Sequence, residues 1–270
     1  MFNDLELTGR AATHVVQRDD LGAAIHQRVL EPFLALKGAA AEAGIDVQTA
    51  SGFRDFAAQL RIWNMKYRGE RPLYDAAGNV RDNASLDAGE LIEGILCWSA
   101  LPGASRHHWG TDIDVIDRAA MPENYRYRLL PEEYAAGGVF HRLNTWLDEN
   151  IARFDFFRPY AEFRGGVNAE PWHLSHAPTA SVALRLLTPE LVAATVRNSD
   201  VLGKDEVLAR LQDIYRIYVA NISTPAGPAE ALLFYPRARR ASKGTRLAPN
   251  GSASGCSFFH QPASSRQVAK

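Results

Sequence analysis

Cysteine is almost absent from this chain: its 270 residues include two, Cys97 and Cys256, with no CxxC pair. That scarcity excludes a disulfide framework and a zinc ribbon. The expected arrangement is a buried Cys97 beside Trp98 and an exposed Cys256 in a tail. An excess of one charge is lacking too, since 30 Lys plus Arg face 31 Asp plus Glu. Nothing in that balance draws the chain toward nucleic acid or an anionic membrane. No apolar run reaches bilayer length, and the stretch from Met1 to Arg10 lacks a charged segment followed by an apolar one. As written, the sequence reads as cytoplasmic, with periplasmic or cell-wall action if another route exports it. No internal repeat is visible, and the spacing says nothing of oligomeric state.

What remains is ordinary globular material, 46% hydrophobic and 23% charged, enough for one substantial core and a smaller appended element. The periodicity predicts a helix capped by Asp19 or Asp20 and running to about Ala43, then a strand over Ile45–Ala50. Asp55–Tyr67 reads as a helix, and residues 68–85 as a long surface loop of the kind that lines or covers a cleft. A helix over Asp87–Cys97, a buried strand over Thr111–Asp117, a helix over Val139–Ala152 and a strand over Phe154–Tyr160 follow. After His173 the texture turns helical: Pro178–Leu187, Pro189–Arg197 behind a Thr188 cap, and Lys204–Ile222. From Thr224 onward Pro, Gly, Ser, Ala and basic residues favour a disordered tail. The expected organisation is a lead-in over 1–18, a main domain over 19–178, a helical extension over 179–223 and the tail over 224–270.

Two fragments carry chemistry. Ser105-Arg-His-His-Trp-Gly-Thr-Asp-Ile-Asp114 sets His107 seven residues before Asp114, with Gly110 between them. Glu170-Pro-Trp-His173 lies downstream. Two imidazoles, one carboxylate ligand and one spare carboxylate are the parts of a catalytic zinc site: three protein ligands, an open position and a general base. Taken singly, each histidine is more often a surface or core group; the joint spacing and its strand and turn context carry the reading. Gly110 allows a close backbone turn between the first ligand and the strand bearing the second. Asp112 and Asp114 share one strand face. Three roles are open to Asp112: orienting a ligand, adding negative charge, or replacing Asp114. His108 and His176 read as flanking imidazoles, and Trp172 as packing beneath the site or a substrate contact.

These residues resemble the paired motifs of the LAS metallopeptidases, the VanY-like family of zinc D-alanyl-D-alanine and L,D-carboxypeptidases. Ser51-Gly52-Phe53-Arg54, followed by Gln59, is similar to an upstream family pattern, so the resemblance spans about residues 20 to 178. It departs at Asp112, where the family commonly has a small residue. The resemblance implies an α+β fold: a small antiparallel sheet flanked by helices, here with added C-terminal helices. It implies one zinc ion held by His107, Asp114 and His173, with Glu170 as catalytic base. Arg54 would hold a substrate carboxylate or the developing oxyanion, which a guanidinium does in bidentate fashion; Gln59 and Ser105 would contact the peptide terminus. The substrate implied is a peptidoglycan stem peptide or muropeptide that loses a terminal D-alanine. Wall endopeptidase, D,D-dipeptidase and a non-catalytic zinc-bearing module that binds wall peptides are the alternatives. A helical interaction protein docking through residues 179–222 is the plainest one.

Overall fold

The computed structural model describes residues 2–75 and 79–225. The expected tail and Cys256 lie outside the described residues. The architecture is α+β, built on a four-stranded antiparallel sheet in the order Val47–Ser51, Asp112–Asp117, His173–His176, Phe156–Phe157. Two small antiparallel pairs stand apart from it, Val15–Val16 with Ile25–His26 and Leu73–Tyr74 with Val80–Arg81.

The Asp112–Asp117 strand is central, and all six of its residues are buried. Its side chains alternate, so Ile113 and Val115 point away from Asp112 and Asp114. Ile113 and Val115 join Leu174 of the next strand in a core completed by Phe33 and Leu36 of the Leu30–Glu42 helix and Leu143 and Leu147 of the His141–Asn150 helix. Trp172 belongs to this core, 4% exposed and 5.5 Å from the Tyr134 ring, so it packs beneath the sheet. A second core gathers Trp63, Ile92, Ile95 and Trp109 with Ala183, Val192, Val196 and Val207 of the C-terminal helices. Trp63 donates its Nε1–H to the Leu202 carbonyl at 3.0 Å, fastening those helices to the Phe56–Tyr67 helix. They are therefore packed into the body of the protein.

Several local signals act as their chemistry dictates. Asp55 accepts from Ala58 N and caps the Phe56–Tyr67 helix; Asp87 and Glu90 form a reciprocal capping box for Ala88–Leu96; Thr188 accepts from Leu191 N. Elsewhere the structure departs from the periodicity. The first long helix begins at Leu30, not at an Asp19 or Asp20 cap, because Ile25–His26 is a strand followed by a tight turn over Gln27–Val29. Leu21, Ile25 and Val29 are fully buried, so an extended segment and a turn lend their apolar residues to the same core as the helix and imitate its spacing. The expected Phe154–Tyr160 strand shrinks to Phe156–Phe157, since Asp155 adopts a left-handed φ of 61° just before it. Lys204–Ile222 is not one helix but Lys204–Ala209, Leu211–Ile214 and a wider turn over Tyr215–Val219, broken at Arg210 with φ −107°. Among the described residues no single helix is long and apolar enough to cross a membrane.

Candidate metal centre

Three sequence fragments meet because three adjacent strands carry them. In the sheet register Asp114 lies opposite Ser51 on one side and opposite His173 on the other. His107 arrives from the Arg106–Trp109 turn that leads into the central strand. Gly110 ends that turn with a left-handed φ of 64°, and a Cβ there would stand 2.6 Å from Val15 Cγ1 and 2.8 Å from the His26 nitrogen. Both conformation and space thus call for glycine.

His107, Asp114 and His173 are buried, and one ligand atom from each lies within 4.8 Å of the others. His107 Nδ1 faces the Gly52 carbonyl at 2.9 Å, and a carbonyl only accepts, so Nδ1 bears the hydrogen. Nε2 is left as a lone pair 3.4 Å from Asp114 Oδ2. Two acceptors facing each other at that separation call for a cation between them. Asp114 Oδ1 repeats the point: it is buried without a hydrogen-bond partner, 3.4 Å from His173 Nδ1. Glu170 Oε2 lies 3.0 Å from the same His173 Nδ1. His173 turns its other nitrogen, Nε2, to Asp112 Oδ1 at 3.0 Å. The donor set suits zinc: two imidazoles, one carboxylate and a neighbouring second carboxylate.

The electrostatics agree. Burial holds His107 well below the usual imidazole range, aided by the nearby Arg54 guanidinium and His173, and a neutral imidazole is the ligand form. Burial also opposes charge on His173, yet its hydrogen bonds to Asp112 and Glu170 and the field of Asp114 push it up to about 10. Burial raises Asp114 to about 6, with Glu170 and Asp112 adding to the rise against His173 and Arg54.

Arg54 is tied to this centre through its own backbone, whose N–H donates to the His107 carbonyl at 3.0 Å. Its guanidinium donates to Gln59 Oε1 and to Ser51 Oγ, both at 2.9 Å. Asp55 is spent on its helix cap, so Arg54 does not pair with it. Gln59 is fully buried, and its amide nitrogen donates to the Ala100 carbonyl at 2.7 Å. Within the chain Gln59 therefore braces Arg54. Ser105 is buried at the start of the His107 turn. His108 points away: Nδ1 contacts the Arg54 carbonyl and Nε2 accepts from Gly103 N. His176 meets Thr179 Oγ1 and the Phe156 ring.

Two groups escaped the sequence reading. Arg106 binds Asp112 beneath His173, and its signal was only its adjacency to the histidine pair. Lys66 donates to Ser99 Oγ at 2.7 Å; burial lowers it to about 8, with Arg71 and Arg54 adding to the fall and Glu170 opposing it. Its helical spacing alone marks it only as one more lysine.

Three donors that could hold a metal ion, with a further carboxylate beside them and an arginine at the edge, form the candidate site. The chain belongs to the VanY family, whose model, described as D-alanyl-D-alanine carboxypeptidase, matches residues 22–179. An uncharacterized protein of Haemophilus influenzae is 36% identical over 121 residues, which are 44% of this chain and 92% of that protein. A D-alanyl-D-alanine carboxypeptidase of Enterococcus faecalis is 31% identical over 149 residues, 53% of this chain and 45% of that one. Among solved structures, a mutant of the vancomycin-resistance D,D-pentapeptidase VanY in complex with Zn(II) is 24% identical with a TM-score of 0.43, over 65% of this chain and 84% of that chain. The L,D-carboxypeptidase LdcB is 16% identical with a TM-score of 0.46, over 65% of this chain and 74% of its own.

Proposed function

We propose that this protein is a zinc-dependent carboxypeptidase that removes the terminal D-alanine from peptidoglycan stem peptides. The observation that carries this reading is the buried Asp114 carboxylate, its unpaired Oδ1 beside His173 and its Oδ2 beside His107, with Glu170 alongside. His107 would hold the ion through Nε2, Asp114 through its carboxylate and His173 through Nδ1. When bound, zinc supplies Lewis-acid chemistry: it acidifies water and polarises carbonyl oxygens. Glu170 takes the proton of the attacking water and returns it to the leaving amine, as base and then acid. Arg54, kept rigid by Gln59 and Ser51, fixes the substrate carboxylate or the oxyanion, a stabilisation that grows only as the tetrahedral state forms. Ser105 and Gln59 border the place where the peptide terminus would lie.

The test is metal content together with hydrolysis of a muropeptide panel of tetrapeptide stems, pentapeptide stems and cross-linked dimers. Wild type is expected to hold one zinc and trim a terminal D-alanine. Glu170→Ala is expected to keep zinc and lose about 10²–10⁴-fold in rate. The stem that is cut separates D,D- from L,D-specificity, and cleavage of dimers identifies an endopeptidase. Zinc binding with no cleavage by either protein moves the reading to a wall-peptide binding module, and a folded wild type that takes up no zinc sinks the site.

A further inference from the structure

We propose that Asp112 is a positioning residue, acting through His173 to hold that imidazole in its metal-binding orientation, with Arg106 as its fixed counter-charge. The proposal rests on the zinc-site reading above and adds residues that reading does not require. Asp112 is fully buried. It is too well occupied to be a ligand: Oδ1 accepts from Arg106 Nε at 2.7 Å and from His173 Nε2 at 3.0 Å, while Oδ2 accepts from Thr111 Oγ1 at 2.6 Å. Arg106 is 3% exposed and is itself held in place, with Nη2 donating to Ser175 Oγ at 2.7 Å and its guanidinium carbon 4.9 Å from the Trp109 ring centre. The sheet register explains the geometry, since Asp112 pairs with Ser175 and Asp114 with His173. Arg106 spans the first pair, just as the metal gap lies at the second.

Two physical consequences follow. A carboxylate that accepts from Nε2–H fixes the tautomer with Nδ1 as the lone-pair nitrogen, and Nδ1 is the atom turned toward Asp114 and Glu170. A second bare carboxylate near Asp114 would also weaken the electrophilic character of the centre. The buried Arg106–Asp112 pair is net neutral, so the orientation is gained without adding charge. Burying the pair costs desolvation, and removing one partner alone would strand the other. The variants must respect that.

The experiment measures zinc affinity by chelator competition, and the solvent exchange of the His173 Nε2–H by nitrogen-15 NMR of the zinc-loaded protein. Three proteins are compared: wild type, Asp112→Asn, and Arg106→Met combined with Asp112→Ala. The combined variant removes both charges, so a folding defect in one variant does not leave the question open. Zinc affinity is expected to fall about 10–100-fold in both variants, with the His173 Nε2–H of the zinc-loaded protein exchanging with solvent faster than in wild type. A purely structural role would lower the melting temperature and leave zinc affinity and Nε2–H exchange as in wild type, and that result overturns the proposal. If wild type binds zinc and the variants match it, the positioning role fails while the metal centre stands. If wild type binds none, both fall together.

Discussion

Two groups of histidines lie within one small region of this protein and do opposite things. At the metal centre, His107 and His173 each anchor one nitrogen, on Gly52 O and Asp112, and turn the other toward unpaired carboxylate oxygen. In the seam on the far side of the Arg106–Trp109 turn, His14, His26 and His108 pack among Phe2, Phe53 and Phe56. There the bonded nitrogens go to the backbone, His108 to Arg54 O and Gly103 N, His14 Nε2 to His108 O and His26 to Arg28 N, while His14 Nδ1 makes no hydrogen bond. The nearest carboxylate, Glu6, stands 3.8 Å from His14 Nδ1 and already accepts from Thr13 and Asn3. What separates a ligand from a brace is therefore which nitrogen is left over, and whether an unsatisfied acceptor faces it. His107 and His108 are chain neighbours, so one peptide bond divides the two roles.

The largest way to break the contrast is to exchange its two neighbours. His107→Ala is expected to abolish stoichiometric zinc binding, a loss exceeding the ~10–100-fold seen when an outer partner is removed. His108→Ala is expected to retain one zinc per folded molecule. It strands the Gly103 N–H and the Arg54 carbonyl, so it should cost about 2–5 kcal/mol of stability instead. Metal analysis and denaturant unfolding on the same two proteins decide the matter. Loss of zinc in folded His108→Ala would erase the distinction.

How much of this was legible in the sequence follows the same division. Within each fragment the spacing was legible, His107 seven residues before Asp114 and Glu170 three before His173, but 59 residues separate Asp114 from His173 and only the resemblance to paired family motifs joined the two. The Thr188 cap was equally legible, because its partner Leu191 lies three residues away. The seam was not, since His14 reaches His108 across 94 residues and no local pattern encodes that contact. The role of Asp112 stayed open for the same reason: its face was legible, but choosing among three roles required knowing that Arg106 and Thr111 already occupy its oxygens. The helix expected from Asp19 failed because burial of a strand and turn mimicked helical periodicity.

A smaller perturbation sharpens the contrast from the seam side. Gly9 has φ +73°, and a Cβ there would sit 2.3 Å from His108 Nδ1. Gly9→Ala is therefore expected to cost about 1–3 kcal/mol through strain and overpacking, read as a lower denaturation midpoint at unchanged slope. Zinc affinity should stay within about twofold of wild type, because the His108 ring moves away from the metal side. A parallel loss of zinc affinity would mean that the two groups form a single unit.

The mildest test is acid. Burial holds His26 down at about 4, with His14, Arg28 and His176 adding to the fall and Glu6 opposing it. Burial lowers His14 as well, against its hydrogen bond to the His108 carbonyl and the charge of Glu6. A base whose folded pKa lies below its unfolded value of ~6.5 takes up its proton first in the unfolded chain. Its stabilisation is complete above about pH 6.5 and is lost as pH falls toward 4. The metal-free centre responds in the other direction, because His173 is raised and its contribution is complete below about 6.5 and fades as pH climbs toward 10. Between about pH 6.5 and 5 ordinary carboxylates remain ionised, but His107, which burial also holds down, declines together with the seam while Asp114, raised to about 6, opposes it, so the seam's part of the decline in metal-free protein is read by substitution. His26→Gln should flatten that decline while His173→Gln leaves it in place, as followed by urea unfolding at half-unit pH steps. A decline that His26→Gln leaves unchanged would show that the seam histidines are hydrated well enough to charge in the folded state, and that burial alone does not make them braces.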